Sequence, residues 1–540
     1  MLLHLQDIPA LTLCNAAARG ELDTIESLLA SSIAPNTRPD DANTDLSAVN
    51  GEWASRDKTS HPPVFSKDIT EWHPLRLAAQ DGIYCVSVDK SNMTRIMTAL
   101  LRHGADPYAL FLQPIFISRK WSQSPTDSVD DQFEDEHLDL GWVTMARDAQ
   151  GLPVEKHPND ITSGDFQSLT SHEDQFPRRY GVRSILHAML EDGVFVQPLL
   201  DFLGGDIDVE RRDPQGRTLF LSVCRSNLGL DSATDGMCRD IACISTVHGI
   251  SHNPFPQPDN PWRELQRPGS TETPESSQTF LEFFLSHGAD LYAVDNYGRN
   301  ALHHLLDGID RAIPTSHPPG ITTSLRYLVA KCPTLINQPD HAGFYSLHFA
   351  LRRIGVYWRS SNVPDRTRKL ETHVYDLLKA GADLFARDGR GNTVLHYLAD
   401  DQLGDIGGMG DTQRQMCRDF LKAGIDPNAR NADGVSALEV FLIKPEDDNK
   451  REGEWSAVKY KQIGEAVIAM FEGAGGRLKD TNAAGQTLLH LVAQQVSLRT
   501  SEWFELLEKK GLDRHARDND GRTPVDFAKD NEDLADDLEL

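Results

Sequence analysis

The sequence predicts a mostly α solenoid of helix pairs with β-hairpin tips and long loop insertions. Three features predict it. An Asp or Asn stands three residues before a Gly seven times, at Asp213/Gly216, Asp295/Gly298, Asp340/Gly343, Asp388/Gly391, Asn431/Gly434, Asn482/Gly485 and Asp518/Gly521. In most copies a hydroxyl or amide residue follows the Gly by two places and opens an apolar run of helical spacing. A second apolar stretch comes later in the unit and stops at another Gly. One supersecondary unit stacked on copies of itself exposes an elongated surface without a central cavity, so binding another macromolecule is the expected use.

The hairpin tip comes first in each unit. Asp or Asn at the first place and Gly at the fourth suit a type I turn, because the short side chain bonds the backbone ahead and Gly tolerates the exit geometry. Thr218, Asn300, Thr393, Ser436, Thr487 and Thr523 then read as helix N-caps, each able to accept a hydrogen bond from a free amide of the coming turn. Pro524 follows the last of them, where its missing N–H costs nothing. At Tyr345 the cap residue fails, so that unit is irregular or uses the ring in a site.

The first helices follow the caps, as in Leu302-His303-His304-Leu305-Leu306 and Leu489-His490-Leu491-Val492-Ala493. Second helices are read at Phe280 to Leu285, Val374 to Leu378 and Trp503 to Leu507, where apolar residues recur at helical spacing. They stop at Gly288, Gly381, Gly424 and Gly511. Gly just past a helix end is the left-handed C-terminal cap.

Turn, helix, helix, Gly stop and return to turn resembles the ankyrin repeat. His103-Gly104-Ala105-Asp106-Pro107, His287-Gly288-Ala289-Asp290, Ala380-Gly381-Ala382-Asp383 and Ala423-Gly424-Ile425-Asp426 look like that family's exit from helix to hairpin. Asp520-Gly521-Arg522-Thr523-Pro524 looks like its entry from hairpin to helix. Leu13 to Leu29, Trp72 to Asp106 and Ser184 to Asp208 fit the unit as well, giving about ten copies. The chain departs from the family in period: successive tip glycines stand 82, 45, 48, 43, 51 and 36 residues apart, against about 33 for the usual unit.

The surplus falls between the two helices of each later unit, at Asp307 to Pro319, Arg352 to Arg368, Asp400 to Gln413 and Lys444 to Glu454, in residues suited to solvent-facing loops. Three insertions are larger. Residues 1–108 are read as N-terminal repeats carrying a polar insertion at 37–71. Residues 109–179 are read as an acidic, disordered insertion or linker; Asp127 to Asp139 holds seven carboxylates in thirteen residues, and the apolar run Leu110 to Ile117 before it suits an extended hairpin. Residues 180–540 form the main array, with an insertion at 225–278 and a capping repeat at 518–540.

With 54 basic and 81 acidic residues the net charge is −27. No Lys/Arg run exceeds two residues, so the clustered cations that phosphate demands are missing and direct nucleic-acid binding is not expected. A protein partner with a basic segment fits the acidic field, unless the acidity serves solubility alone. No apolar run is long enough to span a bilayer, and Met1 to Leu13 lacks the early positive charge of a signal peptide. Seven scattered cysteines point to a reducing compartment, cytoplasmic or nuclear.

Chemistry finds little support. Cys238, Cys243, His248 and His252 are the one metal-like cluster, and their spacing matches no common zinc finger. His187, His303, His348, His396 and His490 recur at one repeat position; the ankyrin resemblance implies that this His is structural, bonding toward a neighbouring unit. Asp513 to Asp526 fails as a calcium loop, because Ala516 and Phe527 would fall at the two ligand ends. Gly404, Gly407, Gly408 and Gly410 lack the following Lys-Ser/Thr of a phosphate loop.

The expectation is therefore a non-enzymatic scaffold or adaptor, without cofactor or metal, that binds a protein partner; a transcriptional co-regulator and a cytosolic adaptor both fit. The ankyrin resemblance implies that recognition lies at variable tip positions lining a groove with the first helices. Here these are Gln215, Arg217, Asn296, Tyr297, Arg299, His341, Phe344, Tyr345, Arg390, Asn392, Asp433, Gln486, Asp520 and Arg522, with Tyr297, Phe344 and Tyr345 as aromatic anchors or as packing between adjacent hairpins. An enzyme or metal site built from the insertions, and a passive spacer, are the alternatives. The oligomeric state is left open.

Overall fold

The computed structural model describes residues 13–14, 16–17, 20–33, 73–76, 78, 90–115, 144–147, 153–156, 179–193, 195–226, 230, 278–308, 320–356, 367–401, 408–443, 457–495, 500–530 and 534. These are mostly helical. The chain divides into two compact units, residues 1–325 and 326–540, a division that falls within a helix rather than in the 109–179 segment.

The first unit holds α1 (Leu22–Ala30), α2 (Lys90–Arg102), α3 (Ile185–Asp192), α4 (Gln197–Leu203), α5 (Leu219–Cys224), α6 (Phe280–Ser286) and α7 (Ala301–Gly308). Helix α1 packs on α2, α2 on α4, α3 on α5 and α5 on α7. The helices before residue 109 thus continue directly into those after 179. Phe220, Phe280 and Phe284 are fully buried, and the Phe220 and Phe284 rings meet edge to face at 6.0 Å. Each such side chain contributes about 2 to 3 kcal/mol by leaving water.

Two strand pairs accompany these helices. Strand β1 (Leu110–Ile115) runs antiparallel to β4 (Arg179–Ser184), from Leu110↔Ser184 to Ile115↔Arg179, and β2 (Thr144–Arg147) pairs with β3 (Pro153–Lys156). The Ile185 amide donates to the Ala109 carbonyl at 3.0 Å and the Leu186 amide to that of Pro107 at 2.9 Å. Strand β1 falls in the run that suits an extended hairpin, while β2 and β3 are ordered parts of the segment expected to be disordered. The partner of β1 is β4, with Leu112 opposite Val182 and Pro114 opposite Tyr180, too distant in sequence to be read as its pair. The acidic block Asp127 to Asp139 lies outside the described residues, as do the polar insertion 37–71 and nearly all of 225–278.

Helix α8 (Gly320–Lys331) spans the division. Beyond it come α9 (Ser346–Val356), α10 (Thr367–Lys379), α11 (Val394–Asp401), α12 (Gly408–Lys422), α13 (Ala437–Ile443), α14 (Ala457–Gly473), α15 (Leu488–Ala493), α16 (Thr500–Lys509) and α17 (Pro524–Asp530). Within this second unit α9 packs on α11, α11 on α13, α13 on α15 and α15 on α17. Alongside, α12 packs on α14 and α14 on α16. Phe420, Phe471 and Phe504 are buried in this row, and Trp503 lies against Phe441 at 4.9 Å.

Glycine stops act as the sequence predicts, and so do several of the expected caps; at Thr393 the hydroxyl bonds the His396 ring instead. The Thr218 hydroxyl accepts from the Leu221 amide, the Asn300 side chain from those of Leu302 and His303, and the Thr523 hydroxyl from that of Asp526. Gly288, Gly381, Gly424 and Gly511 have φ of 75°, 97°, 100° and 84°, a left-handed backbone that a side chain would strain.

Candidate interaction surface

One hydrogen-bond pattern recurs at all seven tips. The first residue's amide donates to the carbonyl of the fifth, and the Gly amide donates to the first residue's carbonyl at 2.8 to 3.1 Å. Oδ1 of the first side chain accepts the fifth residue's amide at 2.7 to 3.0 Å. In six tips the same oxygen also takes the third residue's amide. The tip glycines have φ between 74° and 81°. Asp213, Asp295, Asp340, Asp388 and Asp518 are accordingly buried. Their Oδ1 atoms are taken by turn amides, and the second oxygens of Asp295 and Asp388 by His304 and Tyr397.

Adjacent tips are bonded to each other. The second residue of one tip donates its amide to the third residue's carbonyl of the tip before: Asn296 to Gln215 at 3.0 Å, Gly389 to Ala342 at 3.1 Å, Ala432 to Arg390 at 2.7 Å and Asn519 to Ala484 at 3.0 Å. Outside the helices, Asn337 and Asn428 clamp successive units. The Asn337 amide donates to the Gly381 carbonyl and accepts from the Asp383 N–H; Asn428 does the same with Gly475 and Arg477.

This geometry sorts the fourteen expected site residues. Asn296, His341, Asp433 and Asp520 are exposed; Gln215, Tyr297, Tyr345, Arg390, Gln486 and Arg522 are half-buried. Arg217, Arg299, Phe344 and Asn392 are buried, which corrects their place on a recognition surface. All four stand at the fifth place of the tip, where N–H and C=O are both held by the turn residue and the side chain is turned into the interior. Arg217 reaches Glu191 at 2.9 Å and Asp213 at 2.7 Å. Phe344 meets Phe349 edge to face at 6.2 Å. Asn392 donates to Asp388 and accepts from Asn431. Arg522, at the same place, lies 3.7 Å over the Phe527 ring. Phe344 is thus packing, and the outward residues are the second and third of each tip.

Tyr292 and Phe385, 50% and 59% exposed, were not among the expected residues. Both sit two places after the Asp that follows the helix-stop glycine, the position that Asn428 uses as a clamp. An aromatic replacing a clamping amide was the available signal.

Electrostatics in the interior are structural. Glu191 is held by Arg217 and by Arg225, which also reaches Asp307 at 2.9 Å. Burial pushes the Arg217 pKa down, but Glu191 and Asp213 outweigh it and hold the guanidinium above its usual range. The recurrent histidines hold helix starts: Nδ1 accepts the cap amide from Asn300, Tyr345, Thr393 and Thr487 onto His303, His348, His396 and His490. Nε2 of His396 and of His490 donates to the Val435 and Arg522 carbonyls of the next unit, and His187 reaches Arg211. Burial lowers the pKa of both His348 and His396, so both are neutral at pH 7. The Cys417 thiol is pushed up to about 12 by burial and is not a nucleophile.

Among the described residues no group of three or more His, Cys, Asp or Glu could hold a metal ion, and no helix is long and apolar enough to cross a membrane. Cys238, Cys243, His248 and His252 lie outside the described residues. No protein-family model matches this chain, and no curated protein sequence matches it.

Proposed function

We propose that the chain is a non-enzymatic protein-interaction scaffold of the ankyrin-repeat type, its helix pairs stacked as a solenoid with hairpin tips, and that it binds a protein partner through those tips. The carrying observation is the shared hydrogen-bonding of seven tips, in each of which the first residue's side chain accepts the fifth residue's amide. Each consumes its own carboxylate or amide internally while its second and third residues face outward. A row of rigid tips with variable outward residues is a pre-organised recognition strip, which binds without a large ordering cost. His341, Asp433 and Asp520 are exposed residues on it; Asn296 is exposed too, but its side-chain amide donates to the Pro214 carbonyl of the tip before. The net charge of −27 favours encounter with a partner bearing a basic segment, in the cytoplasm or nucleus.

The test is retention of a partner by the tagged full chain and by tip variants. Replacing His341, Arg390 and Asp433 together by Ala should lower retention at least tenfold with an unchanged thermal unfolding curve. Unchanged retention would remove the tips from the interaction and favour the spacer or insertion-based alternatives.

A further inference from the structure

Two neighbouring joints of the second unit are tied alike except at one residue. At the first, between the tips at Asp340 and Asp388, the Gly389 amide bonds the Ala342 carbonyl at 3.1 Å. Its base is held by Asn337, which donates to the Gly381 carbonyl at 2.8 Å and accepts from the Asp383 N–H at 2.9 Å. At the second, between the tips at Asp388 and Asn431, the Ala432 amide bonds the Arg390 carbonyl at 2.7 Å. Asn431 also donates to Asn392 at 3.0 Å, and Arg387 to the Arg430 carbonyl at 3.1 Å. Across both joints a polar contact bridges the second helices: Arg326 with Asp376 at 2.9 Å in one, the Tyr375 hydroxyl with Asp419 at 3.3 Å in the other. What the second joint lacks is the clamp at its base.

The sequence supplies the reason. Phe385 stands at the place that Asn337 and Asn428 use in their units. In the first unit Glu210 uses it as well, accepting the Asp290 amide at 2.8 Å. A phenyl ring has no donor or acceptor to offer. Among the described residues no side chain reaches the Gly424 carbonyl or the Asp426 N–H, the two groups that a clamp here would take. Nor does packing replace the bonds, since the ring is 59% exposed. An exposed aromatic where an amide would tie two units is a local conflict, of the kind that folds keep where function uses it.

We propose that the joint between the tips at Asp388 and Asn431 is a hinge, held at its tips and free at its base. The pivot is the tip bonds with α11 packed on α13; α10 and α12 are the elements that swing. Hinge motions are absorbed by a few loop residues, here 383–387 and 424–428. Rotation about the tips changes the curvature of the row without breaking a tip bond. For a partner this lets the row follow surfaces of different curvature while each tip keeps its geometry, a consequence that rests on the scaffold reading.

Distances across the two joints test the hinge in the full chain without a partner. Lys331, Lys379 and Lys422 are exposed, in the last turns of α8, α10 and α12, each six residues before the clamp place. Nitroxides carried there on a non-canonical residue leave the cysteines native. The distance distribution for 379/422 should be about twice as broad as that for 331/379, as expected of a joint with fewer ties. Phe385→Asn should install the clamp and narrow 379/422 to the width of 331/379, while Phe385→Ala leaves it broad. Asn337→Ala should broaden 331/379 by a similar factor. Equal widths in the natural chain, or a 379/422 distribution that Phe385→Asn leaves unchanged, overturns the hinge. The scaffold reading stands or falls separately, on retention of a partner by the tip variants.

Discussion

Asp388 shows what one side chain contributes to a tip. Its Oδ1 accepts the amides of Arg390 and Asn392, and its Oδ2 accepts the Asn392 side chain and the Tyr397 hydroxyl. Asp388→Ala should cost about 3 kcal/mol in urea unfolding, since buried donors lose their acceptor. Asp388→Asn, the residue used at Asn431 and Asn482, should cost clearly less. Equal costs for the two would show that the turn does not depend on Oδ1. The histidines give a pH dependence of definite sign. Burial depresses the folded-state pKa of His348 and His396, so the unfolded chain binds more protons, and their contribution is present above about pH 6.5 and lost as pH falls. Asp295, held below its usual value because its bonds to His304 and to backbone amides outweigh burial, keeps its charge through that range. The urea midpoint should fall between pH 7.5 and 5.5, and the fall should shrink in a variant with Gln at 348 and 396; a midpoint that rises toward acid would contradict this.

At the scale of the element, units are joined by helix packing and by side-chain clamps on backbone. Asn428→Ala removes two hydrogen bonds that tie its unit to the next and should cost about 2 kcal/mol. The equivalent change at Phe385, which makes no such clamp, should fall within about 0.5 kcal/mol; thermal denaturation of the two variants decides. These elements differ in how legible they were. The tips, caps and glycine stops could be read because each depends on residues within five places of one another. Arg217, Arg299, Phe344 and Asn392 were misread as surface because their direction is set by the closure of the turn, which composition at the tip does not report. The β1/β4 pair joins residues nearly seventy positions apart, so nothing local marks the partner.

At the scale of the whole molecule, the charge of −27 sets a self-repulsion that moderate salt screens over about 10 Å. Raising NaCl from 0.05 to 0.5 M should raise the thermal midpoint; a fall would mean that exposed ion pairs such as Lys510 with Glu472 outweigh the repulsion. The central claim is that the tips are a recognition strip for a protein. The measurement that tests it most directly is cross-linking with mass spectrometry of the tagged full chain purified from its own cells at low and high salt. The account predicts one or two partners whose cross-links fall on the second and third residues of successive tips and weaken at high salt. Cross-links confined to the insertions, or none at all, would contradict it.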